Sequence, residues 1–153
     1  MSTPATVDGI AGVQELIGQP LGPTDWYTVS QEQVNLFADA TGDHQWIHLD
    51  PERAKDGPFG TPIAHGFLTL SLIVQFMSEL LEVSGISMAV NYGLNKVRFP
   101  APVPVGSRIR ASAVIDTADE FVGGVQTTMT ITIEIEGGAK PACVAESVSR
   151  FYA

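Results

Sequence analysis

Positive charge is scarce in this chain: eight lysines and arginines stand against seventeen aspartates and glutamates, a formal net charge of −9. That balance excludes general affinity for nucleic acid or for an anionic membrane surface, both of which call for a field of the opposite sign. Cysteine is almost absent. Cys143 stands alone, which excludes an intrachain disulfide and fits a reducing compartment; within a strand-like run it reads as a small buried apolar side chain rather than a nucleophile. Long apolar runs are also missing, because the most hydrophobic stretch, Phe67 to Met77, is broken by Thr69, Ser71 and Gln75 and is too short to span a bilayer. Met1 to Leu21 carries no basic residue and no sustained apolar core, so neither a secretory signal nor an arginine-rich transit peptide is expected, and the cytoplasm is the expected location.

What remains is a chain of 153 residues, 44% hydrophobic and 16% charged. This length supports one domain with a sizeable core over residues 1–153, in which residues 1–24 form an N-terminal extension of the same unit. So small a charge complement predicts apolar surface covered by a partner, and a homodimer is expected. Of the eight basic residues, six fall late in the chain: Lys96, Arg98, Arg108, Arg110, Lys140 and Arg150. On a sheet these are solvated strand-edge charges or a cluster for an anionic ligand. Lys96 and Arg98 are the pair to watch for the second role.

The character of the chain changes near Gly85. Before it, Ser30 with Gln33 three residues on makes a capping-box pattern, and Val34, Phe37 and Ala40 recur at helical spacing until Gly42 offers a stop. Asp50-Pro51 opens a second short helix, with Asp50 as N-cap and Pro51 in the first helical position, and His48 lies in the connection between the two. From Gly66 to about residue 82 the pattern is apolar almost all round, the mark of a long helix enclosed by other elements. After Gly85 the period is two. Met129, Ile131, Ile133 and Ile135 alternate with Thr128, Thr130, Thr132 and Glu134, Ser107 to Asp116 does likewise, and a further strand spans Lys140 to Tyr152. Between Ile86 and Phe99 the apolar phase switches, which predicts a bulge near Asn95. Helices followed by strands with short links indicate an α+β domain, an antiparallel sheet wrapped around the buried helix.

Chemistry concentrates in Gly42-Asp43-His44-Gln45-Trp46-Ile47-His48-Leu49-Asp50-Pro51 and in Ala64-His65-Gly66. Asp43 and His48 together can share one water as a general acid/base pair, and a glycine opening a helix can offer its N–H to a developing oxyanion. Each residue also has a plainer reading: Gly42-Asp43 as a helix-ending turn, His48 as a packed ring, Asp50 as a cap. His44 and His48 are four apart, but with no helix through them and no further clustered ligand, no metal site is expected.

The run Gly42-Asp43, His48, Asp50-Pro51, followed by His65-Gly66 and an apolar helix, resembles the MaoC-like, (R)-specific enoyl-CoA hydratase family, over roughly residues 25 to 152. The resemblance implies the hot-dog fold, usually paired into a dimer with a continuous sheet. It also implies an activity, the hydration of trans-2-enoyl-CoA to (R)-3-hydroxyacyl-CoA and its reverse, with no metal or cofactor. Asp43 and His48 would be catalytic, and Gly66 would supply the oxyanion N–H. The family usually has Asn-Pro before the apolar residue and the histidine, where this chain has Gln45 and Trp46. That departure resembles single-domain mycobacterial hydratases and the nodulation protein N group, and makes Trp46 a candidate for receiving the acyl chain. Two supporting roles stay open. His65 is a second base or a structural side chain, and Ser71 orients the dyad or bonds back to its own helix. The alternatives to a hydratase are a non-catalytic hot-dog subunit that binds an acyl thioester or a partner, and a hot-dog thioesterase. The last would draw a carboxylate from the long helix, where Glu79 and Glu82 fall at the far end.

Overall fold

The computed structural model describes residues 2–153, so the expected unit can be followed from Ser2 onward and Met1 lies outside the described residues. The chain opens with strand β1 (Ala5–Asp8) and helix α1 (Gly9–Glu15), then two very short strands, β2 (Pro20–Leu21) and β3 (Tyr27–Thr28). Helices follow: α2 (Gln31–Thr41), the single turn α3 (Trp46–Leu49), α4 (Pro51–Lys55), α5 (Gly66–Ser71) and α6 (Ile73–Leu80). The remainder is strand: β4 (Leu81–Ser84), β5 (Met88–Arg98), β6 (Arg108–Phe121), β7 (Gly124–Ile135) and β8 (Cys143–Tyr152).

The main sheet has the order β2-β6-β7-β8-β5, antiparallel throughout, with β3 also on β6. Its alternation works as the period-two pattern requires. Ile109, Ala111, Ala113 and Ile115 of β6 turn inward with Met129, Ile131 and Ile133 of β7 and Cys143 and Ala145 of β8, all buried. Against this face lie Phe76 and Leu80 of α6, and Tyr27 meets the Phe76 ring edge-on at 6.2 Å. On the outer face Arg110 pairs with Glu134 opposite it, and Arg108 with Glu136. These two arginines are therefore strand-surface charges.

α2 begins and ends as its sequence requires. Gln33 N–H donates to Ser30 Oγ at 3.1 Å, and Gly42 closes the helix at φ 79°, a left-handed conformation that side chains other than glycine resist. The reciprocal half of a capping box is not made, since Gln33 Oε1 is buried without a protein partner.

The central helix runs from Gly66 to Leu80 and is stepped at Leu72, so it stops short of the expected residue 82. Glu82 sits on β4, not on the helix. The cause lies far upstream. β1 pairs parallel with β4, Ala5 facing Leu81 through Asp8 facing Ser84, and these main-chain bonds hold residues 81–84 extended. The helix is also not enclosed on all sides: Phe67 is 70% exposed and Val74 63%. Its second apolar face borders an open groove of about 900 Å³ between α5, α6 and β5. β5 itself is the sheet edge and almost wholly exposed. Its pairing with β8 slips at Asn95, where a bulge was expected, and again at Tyr92. Among the described residues no helix is long and apolar enough to cross a membrane.

Candidate active site

Three short elements place the dyad. Gly42 turns the chain out of α2, and Asp43 follows in a loop whose own atoms hold it: Oδ1 accepts from Gln45 N at 3.3 Å and the Asp43 N–H donates to Thr41 Oγ1 at 3.4 Å. Asp43 Oδ2 is thereby turned towards His48 Nε2, 3.8 Å away. His48 lies on α3 rather than in an open connection, because His48 N–H bonds Gln45 O at 3.1 Å and Asp50 N–H bonds Trp46 O at 3.0 Å, enough for one turn. One turn is too short for apolar periodicity to register. Asp50 caps α4 by accepting from Arg53 N at 3.1 Å, the structural role expected of it.

The His48 ring is fixed from behind. Its Nδ1 lies 2.7 Å from Ile63 O, and since a carbonyl oxygen only accepts, Nδ1 carries the hydrogen and Nε2 presents a lone pair to the site. Ile63 is in turn tied to the same turn, its N–H donating to Ile47 O at 3.0 Å, while Gln31 Nε2 donates to His48 O at 2.9 Å. The pair is asymmetric: the His48 side chain is 7% exposed and that of Asp43 51%. A water beside them can bond both, because two hydrogen bonds of about 2.8 Å span such a gap.

His65 completes the cluster. Its ring stacks on that of His48 with centroids 3.8 Å apart and planes 25° from parallel, and Phe37 packs on it at 4.9 Å. Asp43 Oδ and one ring nitrogen each from His48 and His65 lie within 4.8 Å of one another. Stacked rings hold their in-plane lone pairs in separate, nearly parallel planes, so one ion cannot lie in both planes at the roughly 2.0–2.1 Å that a metal–nitrogen bond needs. Asp43 and His48 suit a shared water. Next in sequence is Gly66, the first residue of α5, whose N–H belongs to the first turn and has no partner within the helix. A Cβ there would come within 3.2 Å of the Phe99 ring, which therefore lies against this backbone.

The other expected residues are placed differently. Ser71 Oγ donates to Phe67 O at 2.7 Å within its own helix and lines the groove beside β5, not the dyad. The Trp46 ring lies beneath the Arg53 guanidinium, 4.3 Å from its carbon, and against Gly57, so it ties α3 to α4 and the following loop. Lys96 and Arg98 are on edge strand β5, where Lys96 stands opposite Glu146 and Arg98 donates to Val97 O at 2.7 Å. None of Asp43, His48, His65 and Gly66 lines the large groove. Residues that the sequence did not single out are Ile63, Phe37 and Gln31. Ile63 acts through a main-chain carbonyl, for which no side-chain signal exists.

Two titrating groups bear on the surroundings. His44 Nε2 lies 2.9 Å from Asp39 Oδ1; that hydrogen bond raises the imidazole above its ordinary 6.5, slight burial opposes it, and the Gly42 backbone and the charges of Asp39 and Asp43 add to the rise. His44 so pins the turn carrying Asp43 back to α2. Cys143 is buried in the sheet, and burial pushes its thiol up to about 11, as expected of a packing residue.

A family model described as MaoC like domain matches residues 12–136. The chain is 58% identical over 149 residues to 3-hydroxyacyl-thioester dehydratase Z of Mycobacterium tuberculosis, covering 97% of this chain and 99% of that protein. It is 46% identical over 144 residues to nodulation protein N of Rhizobium leguminosarum bv. viciae, covering 92% and 89% of the two chains. Among solved structures it is similar to an (R)-hydratase from A. caviae involved in PHA biosynthesis, with a TM-score of 0.73, 28% identity, and 87% and 94% of the two chains covered.

Proposed function

This chain belongs to the MaoC-like domain family, and from that premise we propose its reaction: reversible, (R)-specific addition of water to a trans-2-enoyl thioester, giving the (R)-3-hydroxyacyl thioester. The hot-dog fold carries it, an antiparallel sheet around a helical stretch. The observation behind the assignment of roles is the 3.8 Å separation of Asp43 Oδ2 and His48 Nε2. A water held by both loses a proton to the pair as its oxygen bonds C3. Charge then gathers on the thioester oxygen, where the Gly66 N–H and the start of the helix stabilise it. The pair returns a proton to C2, and the sum is one water added. Run backwards, the same site removes water.

The thioester carrier is coenzyme A in this reading. Lys96 and Arg98 lie on the strand leading to Phe99, whose ring packs on Gly66, and cations along that approach suit the phosphates of the carrier. Trp46 acts on substrate through the turn it holds. Residues 1–153 serve as one unit, a reading supported by β1 on β4 and β2 on β6. The partner is a second copy: β5 is an exposed edge, and Met88, Val90, Tyr92 and Leu94 along it are large, apolar and exposed. Sedimentation that finds only monomer at micromolar concentration counts against the homodimer. The cytoplasm suits the single buried thiol and the thioester substrate.

A subunit that merely binds acyl groups has no use for a base of fixed tautomer facing a carboxylate. A thioesterase would want a carboxylate on the helix near its start, whereas Glu79 lies at the far end and accepts from Ser2 Oγ at 3.3 Å. The test is the loss of enoyl absorbance when the protein meets crotonyl-CoA or a longer trans-2-enoyl-CoA, with chiral analysis of the product. (R)-3-hydroxyacyl-CoA that fails to form with Asp43→Asn is the expected result. No hydration of either substrate by the folded wild type overturns the reading.

A further inference from the structure

One buried side chain touches both Asp43 and His48. His65 is 3% exposed and precedes the first residue of α5. Its Nε2 lies 3.0 Å from the main-chain oxygen of Asp43; a carbonyl only accepts, so Nε2 carries the hydrogen and donates. Its ring face rests on that of His48 at 3.8 Å, with Phe37 packed on the His65 ring at 4.9 Å. Its Nδ1 is buried and finds no hydrogen-bond partner among the described residues. A histidine kept only to fill space would leave that nitrogen desolvated at a cost a phenylalanine avoids, so the position calls for something that the donor and the flat ring provide together.

We infer that His65 is the positioning residue of the dyad: its Nε2–H fixes where the backbone of Asp43 sits, and its ring fixes the tilt of His48, so that the two proton-carrying atoms stay at the spacing one water can bridge. The inference rests on the reading of Asp43 and His48 as the acid/base pair. The hydrogen bond and the stack act on opposite walls of the site, the loop after α2 and the turn α3. Ile63, two residues earlier, fixes the tautomer of His48, and Gly66, one residue later, opens the helix. Three of the four consecutive residues 63–66 thus align the groups of the reaction relative to one another, and His65 is the one that does so with its side chain.

Three variants separate the two contacts. His65→Phe keeps a ring against His48 and Phe37 but removes the donor to Asp43. His65→Gln keeps an N–H within reach but removes the stack, and His65→Ala removes both. With crotonyl-CoA, kcat is expected to fall about tenfold in each of the first two and about 100-fold in the third, the loss that a misplacement near 1 Å produces, while KM changes less than threefold. Ring nitrogen NMR of His48 gives a readout that needs no substrate: hydrogen on Nδ1 in the wild type and in His65→Phe, and a mixed pattern in His65→Gln and His65→Ala, where the unstacked ring tilts away from Ile63 O. Wild-type kcat per folded molecule in both His65→Phe and His65→Gln overturns the inference. So does a rise confined to KM, or losses that follow only the folded fraction in thermal melts. An inactive wild type whose His48 signature still responds to His65→Ala would overturn the assigned reaction and leave the positioning role standing.

Discussion

Asp43 Oδ2 stands 3.8 Å from His48 Nε2, too far for a direct hydrogen bond and near enough for one water to bond both. The gap matters because a direct bond would neutralise the pair against itself. Left apart, and with His48 Nδ1 donating to Ile63 O, Asp43 Oδ2 and His48 Nε2 can both accept from the same water.

Removing either lone pair should stop turnover. Asp43→Asn keeps an oxygen for Gln45 N–H, and His48→Gln keeps a donor for Ile63 O, so the loop and the turn persist. The expected result is a fall in kcat of about 10²–10⁴-fold, with a thermal midpoint close to that of the wild type. Steady-state hydration assays alongside melting curves check it, and normal rates in either variant would remove the dyad.

Gly66 allows a sharper test than most backbone donors. It is the first residue of α5, where proline is tolerated, and His65 before it is already extended at ψ 138°. Gly66→Pro therefore deletes the N–H at little cost to the helix, and kcat should fall about 10²–10³-fold. Gly66→Ala adds the same Cβ against Phe99 but keeps the N–H. If the oxyanion role is right, the alanine variant retains far more activity than the proline variant; equal losses would assign the effect to crowding.

The Asp39–His44 pair gives a pH signature. Because the hydrogen bond to Asp39 raises the His44 imidazole in the folded protein, its contribution to stability is complete below pH 6.5. It is lost as the pH rises through the raised value. His44→Gln should flatten that part of the stability profile while leaving it unchanged well above neutrality. Denaturant titrations from pH 5 to 9 would show it, and a profile identical to that of the wild type would discard the pair as a contributor.

Phe76 is fully buried between α6 and the sheet, with Tyr27 on its ring edge. Phe76→Ala should cost about 3–5 kcal/mol by lost transfer and by the cavity left behind. Chemical denaturation read against protein concentration checks the size; a loss below 1 kcal/mol would mean that the core collapses around the gap.

How much of this could be read in advance depended on whether the signal was local. The α2 cap at Ser30, the stop at Gly42, the cap at Asp50 and the alternating faces of β6 and β7 are all written within a few residues of where they act, and the structure has them as expected. The end of the central helix is not written locally, because β1 decides it from the other end of the chain. The apolar pattern between Phe67 and Met77 recorded that both faces of the helix are apolar, but not that one of them borders an open groove. At the site, the spacing of Asp43 and His48 pointed to a pair. The role of His65 was open between a second base and a structural side chain, because its two contacts join segments of the chain that only the fold brings together.

The carbonyl of Ile63 and the N–H of Gly66 belong to the main chain, and the proposed reaction gives each a part. Replacing Ile63 by valine or alanine leaves the atom that selects the tautomer of His48 where it was. Position 63 is therefore free to drift in evolution so long as the packing holds, and a survey of side-chain replacements there would report on fit alone. The atom answers only to changes of the backbone itself, such as the ester-for-amide exchange that weakens the acceptor preceding it. Such an exchange between Ile63 and Ala64, which also removes the Ala64 N–H bonded to Val103 O, would weaken the tautomeric bias of His48 with every side chain of the dyad intact.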